Sequence, residues 1–106
     1  MSRIEKIREM LLSEPDSEML QYMLAQELRK QGDYGEALEI FACLQQLEPP
    51  HVPSFFMAAQ MLAQCGQISD ARSLLRTGIE VARTLGDSHA AGEMGELLVS
   101  LGKEGE

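Results

Sequence analysis

The chain has 106 residues, a formal net charge of −8 and 44% apolar residues. That apolar share is too high for a disordered segment, and the length allows one domain with a modest core. The acidic balance argues against non-specific nucleic-acid binding and against anionic membrane surfaces. No window approaches the ~20 apolar residues that span a bilayer.

Residues 2–13 alternate charge with Ile4, Ile7, Met10, Leu11 and Leu12, which predicts a short amphipathic helix with one apolar face. This N-terminal stretch is charged throughout and lacks an apolar signal region, so secretion is not expected. Glu14-Pro15-Asp16 ends the helix. Asp16 or Ser17 then caps a second helix to about Gln31, with Leu20, Leu24, Ala25 and Leu28 facing inward. Gly32 stops it, because glycine takes the left-handed cap without a Cβ penalty. Asp33 is placed to cap the third helix, 33–48, with Glu36 completing a capping box. Ala37, Leu38, Phe41, Leu44 and Leu47 form its inner stripe, and Pro49-Pro50 forbids continuation.

Pro53 suits the first turn of a fourth helix, which runs to about Cys65 with Phe55, Ala58, Ala59 and Leu62 inward. Gly66 stops it. A fifth helix, about 68–85, carries Ala71, Leu74, Leu75, Gly78, Ile79 and Ala82, and Gly86 stops it. Asp87 or Ser88 starts a sixth, 88–101, with Ala91, Met94, Leu98 and Leu101, closed by Gly102; residues 103–106 should fray. No stretch shows sustained alternation, so no strand is expected.

The pattern repeats. Pro15 recurs as Pro49, Leu28 as Leu62, Gly32 as Gly66 and Ala37 as Ala71, always at the same offset. Alanines 25, 37, 59 and 71 mark places where antiparallel helices approach closest; a larger side chain would force the axes beyond ~8–10 Å. Gly95 fits the same place in the last helix and Gly78 a close contact on the fifth. Gly92 has no such account.

On these residues the chain resembles the tetratricopeptide repeat, a helix-turn-helix unit of about 34 residues. Gln21, Leu24, Ala25, Leu28, Ala37, Phe41 and Pro49 stand in the signature positions of one repeat. Phe55, Ala58, Ala59, Leu62, Ala71 and Leu75 stand in those of the next, where Arg83 replaces the final proline. The resemblance implies an all-α fold: a short right-handed α-solenoid of antiparallel helix pairs in six helices. Its single domain, 1–106, divides into a half-repeat helix (1–15), two repeats (16–50 and 51–86) and a capping helix (87–102).

No catalytic constellation emerges. His89, Glu93 and Glu96 share a helix face, but one helix supplies no closed metal site. His51 sits in a proline-rich turn without a sequence-adjacent partner. Cys43 and Cys65 lack metal spacing and an adjacent base, and read as buried or half-buried reduced thiols of a cytoplasmic protein. The reading is no enzyme, no cofactor and no bound metal.

Most of the acidic charge reads as solvated helix face. In the resembled family the first helix of each pair lines a concave surface that takes extended peptides. That implies partner contacts through Met19, Tyr22, Met23, Gln26, Arg29 and Lys30 on the second helix. Phe56, Met57, Gln60 and Gln64 follow on the fourth, and His89, Glu93 and Glu96 on the sixth. The carboxylate-clamp type of such repeats is disfavoured, because the chain contains no asparagine. The implied partner is a protein or peptide, with neither nucleic acid nor membrane. The alternative is a self-associating scaffold, a weak homodimer through apolar end helices: Ile4, Ile7 and Leu11 at one end, Leu97, Leu98 and Leu101 at the other.

Overall fold

The computed structural model describes the backbone of residues 2–105 and the side chains of residues 2–102. Its elements are α1 (Arg3–Ser13), α2 (Glu18–Lys30), α3 (Tyr34–Gln45), α4 (Pro53–Gln64), α5 (Ile68–Thr84) and α6 (Ser88–Gly105). Among the described residues there is no strand, and the fold is an all-α helical repeat. The chain divides into two compact units, residues 1–51 and 52–106.

Three turns share one construction. Gly32, Gly66 and Gly86 adopt φ of +83°, +82° and +77°. The amide after each glycine donates to the carbonyl five residues back: Asp33 to Leu28, Gln67 to Leu62 and Asp87 to Ala82, at 2.8 to 2.9 Å. Each glycine amide closes the inner bond, at 3.0 to 3.1 Å. This is a Schellman termination, and it satisfies carbonyls that the helix end would otherwise orphan.

The starts differ. Ser2 accepts from the Glu5 amide, and Glu5 accepts from the Ser2 amide, a full capping box at α1. Ser17, not Asp16, caps α2 by accepting from Leu20 at 3.2 Å, and Asp87 caps α6 by accepting from Ala90 at 3.1 Å. Asp33 makes no side-chain cap, contrary to expectation. Its backbone stands at φ −83°, ψ 65°, close to the φ −89°, ψ 65° of Gln67, which is likewise uncapped. Ser2 and Ser17 have the extended ψ that aims an oxygen at the first-turn amides. Glu36 instead takes the Arg8 guanidinium through both oxygens, at 3.0 and 2.9 Å, tying α3 to α1.

Two helix ends depart from the sequence reading. α3 stops at Gln45 and not at 48. Gln46 closes back onto Cys43 and Leu44, and the His51 amide reaches the Leu44 carbonyl at 3.0 Å. The chain leaves the helix axis there, so Leu47 drops out of the stripe and stands 37% exposed. At the other end Gly102 does not stop α6, which runs on to Gly105. Glycine permits the left-handed cap but does not impose it. Of the residues expected to fray, Glu106 lies outside the described residues.

In the first unit α1 and α3 pack on α2, burying Ile7, Leu20, Leu24, Ala25, Leu28, Ala37, Phe41 and Leu44. In the second, α4 and α6 pack on α5 around Val52, Phe55, Ala59, Ala71, Leu75, Ile79, Ala82, Met94 and Leu101. The four crossing alanines, 25, 37, 59 and 71, are each 0% exposed. Full burial of Met61 and Ser54 is additional to the expected core. Gly78 makes the close contact foreseen for it: a Cβ there would lie 2.7 Å from Met94 Sδ and 2.8 Å from Phe55 Cβ. Gly95 does not, since a Cβ would meet nothing within 4 Å. Cys43 and Cys65 are exposed, not buried or half-buried. Cys43 lies between the inward Phe41 and Leu44 on the outer side of α3, and Cys65 sits at the C-terminal cap of α4.

Candidate partner-binding surface

The inward Leu24, Ala25 and Leu28 rotate Tyr22, Met23, Gln26 and Arg29 onto a neighbouring, half-buried face of α2. Three of these side chains are wired together. Gln26 Nε2 donates to Tyr22 Oη at 3.1 Å, and Arg29 Nε donates to Gln26 Oε1 at 3.1 Å. The tyrosine ring stands edge-on to Phe41, centroids 5.9 Å apart, and tilted against His51 at 5.0 Å. The stripe is therefore held by the core beneath it. Met19 is exposed beside it, whereas exposed Lys30 pairs with Glu27 at 3.6 Å. Glu27 also takes Arg3 of α1 at 2.6 Å.

Burial raises the Tyr22 pKa, and the Arg29 charge and the Gln26 hydrogen bond partly oppose that. Burial lowers the His51 pKa, opposed by the Glu18 carboxylate. His51 was not anticipated in this surface; nothing local in the proline-rich turn reveals that the fold lays its ring on Tyr22.

The His51 shift has a consequence for stability. An imidazole with a lowered folded-state pKa is protonated first in the unfolded chain, whose histidine titrates near ~6.5. The folded state then loses ground as pH falls through that value toward the lower folded pKa. The expected result is a thermal midpoint that declines from pH 7.5 to pH 5 more steeply in the wild type than in His51→Gln. Equal slopes would show that the ring titrates as if free.

On α4, Phe56, Met57 and Gln60 are half-buried and Gln64 is exposed. Phe56 packs against the buried cluster of the second unit. On α6, His89 and Glu93 are exposed and face each other across one turn at 3.2 Å, with exposed Glu96 further along. No group of three metal-ligating side chains occurs among the described residues, nor is any of their helices long and apolar enough to cross a membrane.

Short helical hairpins with buried alanine crossings, glycine Schellman turns and a constant repeat offset define a small tetratricopeptide-repeat protein. Residues 4–78, more than half of the chain, match the sequence model of the family described as anaphase-promoting complex, cyclosome, subunit 3, and the chain belongs to that family. The tetratricopeptide repeat domain protein from Salinibacter ruber, solved by solution NMR, is 26% identical with a TM-score of 0.76, over 82% of this chain and 88% of that one. A protein from Bordetella parapertussis shares the fold at 20% identity and a TM-score of 0.84, over 98% of this chain and 90% of that one. No curated protein matches.

Proposed function

We propose that this protein is a non-catalytic interaction module that binds an extended peptide or a helical segment of a protein partner through the stripes on its first helices. The observation that carries this is the hydrogen-bonded row Tyr22–Gln26–Arg29 on α2. It presents an aromatic edge, an amide and a guanidinium on side chains already fixed by their neighbours. Pre-ordered groups lose less entropy on binding. Met19 and Met23 beside them supply adaptable apolar contact. On α4 the corresponding set is Phe56, Met57, Gln60 and Gln64, and on α6 His89 and Glu93. Arg29 and Lys30 favour a segment carrying an acidic residue beside its apolar ones.

The test avoids Tyr22 and Phe56, whose rings also pack on the cores. Immobilised wild type and the double variant Arg29→Glu, Gln60→Glu are each offered lysate of the source cells. Proteins retained by the wild type should be lost by the variant, whose melting curve should match that of the wild type. Retention of the same proteins by both would place binding elsewhere.

A further inference from the structure

We infer that a second copy of this chain docks its α1 onto the open face of α6, so that two chains together rebuild one repeat hairpin. Repeat arithmetic assigns the two helices opposite roles. Ile7 of α1 stands one repeat before Phe41 and two before Leu75, and all three are buried to within 1%. α1 is thus a second-type helix, like α3 and α5. Met94 and Gly95 stand where Ala58 and Ala59 stand in the hairpin before them, the long α5 having shifted the register slightly. That makes α6 a first-type helix, like α2 and α4.

In the two repeats the alanine at the Gly95 position, Ala25 or Ala59, is covered by the second helix of its own hairpin. Gly95 is only half-buried, whereas Ala25 and Ala59 are fully buried. A Cβ at Gly92 or at Gly95 would meet no atom within 4 Å, and Val99 on the same face is 64% exposed. Ala91, Gly92 and Gly95, with Arg83 on the rim, line an open groove of about 460 Å³. Such a smooth floor admits another helix at short axial distance.

α1 offers the matching surface. Lys6, Glu9, Met10 and Ser13 line an open face of similar extent, about 440 Å³. Met10 is 45% exposed although its repeat equivalent, Leu44, is fully buried. In the hairpin register Arg3 of α1 takes the place of Ala37 and so falls opposite Gly95. A glycine there leaves room for the arginine stem that an alanine pair does not. Register selects this pairing over two α6 faces meeting each other: a repeat hairpin joins one first-type and one second-type helix, and an α6–α6 contact would bring two first-type helices together. Charge does not oppose it: Arg3 and Arg8 of α1 are held by Glu27 and Glu36 of their own chain, and Lys6 and Glu9 balance on the open α1 face. The contact is heterologous, so it extends from copy to copy. It uses neither Arg29 nor Gln60, so the variants that test the proposed function leave this contact untouched, although His89 and Glu93 share helix α6 with it.

The experiment is sedimentation equilibrium of the full chain up to about 1 mM, the range of weak association. Gly95→Arg blocks the α6 face at a position with open space around it; Met10→Glu blocks the α1 face at an exposed position. Gly92→Arg replaces Gly95→Arg should that variant melt earlier than the wild type. The wild-type mass should rise above 11.7 kDa with concentration. Each variant alone keeps one good face but lacks the complementary one, so each should stay monomeric. Mixed in equal amounts, they should form a complex of two chains and no larger. A wild type that is monomeric throughout overturns the proposal. So does a Met10→Glu variant that still self-associates, which would mean α6 pairs with α6, and so does a mixture that fails to pair.

Discussion

Phe41→Ala should lower the stability of the protein by ~3–5 kcal/mol, the usual cost of deleting a fully buried aromatic side chain. Among the described residues Phe41 is the largest fully buried side chain, and those of the first unit include seven other buried apolar residues to close over the loss. Four of those seven are leucines and two are alanines, which limits how far the gap can fill. Tyr22 leans edge-on against the ring, so the substitution also removes an aromatic pair worth ~0.5–1.5 kcal/mol beyond its area. Against a typical total of ~5–15 kcal/mol, this is a large share. The repeat supplies the control. Leu75 fills the same place in the second unit at 0% exposure, so Phe41→Leu keeps a shape the scaffold already uses and should cost much less. Urea titration with an unchanged m-value is the measurement. A loss below ~1 kcal/mol for Phe41→Ala would mean the ring is not central to this core.

The ends of helices and the inward faces were legible because both obey short-range rules. A glycine followed by a new apolar stripe meant a Schellman turn at 32, 66 and 86, and the constant repeat offset carried the core positions from one hairpin to the next. The errors arose where the pattern states what is permitted but not what the chain does with it. Gly102 looks like Gly32, yet α6 passes through it. Asp33-x-x-Glu36 has the spelling of a capping box, but the turn before it sets the wrong ψ, whereas Ser2-x-x-Glu5 in the charged N-terminal stretch forms one. The candidate surface was legible as a set of α2 positions. Its internal wiring was not: the Tyr22–Gln26–Arg29 bonds depend on rotamers, and the His51 ring arrives through a turn with no periodicity to read.

Glycines 78 and 92, both mid-helix, should respond to alanine with opposite signs. In an exposed helix interior the change is worth up to ~1 kcal/mol in favour of alanine, because the unfolded chain loses backbone freedom. At Gly92 nothing lies within 4 Å of the new methyl, so Gly92→Ala should stabilise by close to that amount. At Gly78 the methyl would lie 2.7 Å from Met94 Sδ, 2.8 Å from Phe55 Cβ and 3.1 Å from Phe55 Cγ. The Met94 sulfur sits on a flexible side chain and can swing away. Phe55 Cβ is attached directly to the α4 backbone, so relief there requires the helix itself to move. Overpacking of this kind costs ~1–3 kcal/mol, and it outweighs the propensity gain. The repeat shows why glycine sits there. Phe55 stands where the first repeat has Gln21, and Gly78 stands where it has Leu44. Bulk has been exchanged across one helix crossing, so the phenylalanine needs the glycine. Thermal melts should place Gly78→Ala below the wild type and Gly92→Ala above it, each kcal/mol moving the midpoint by ~4–8 °C in a chain of this size. A Gly78→Ala variant that melts above the wild type would show that α4 and α5 do not meet at Phe55 as closely as these distances require.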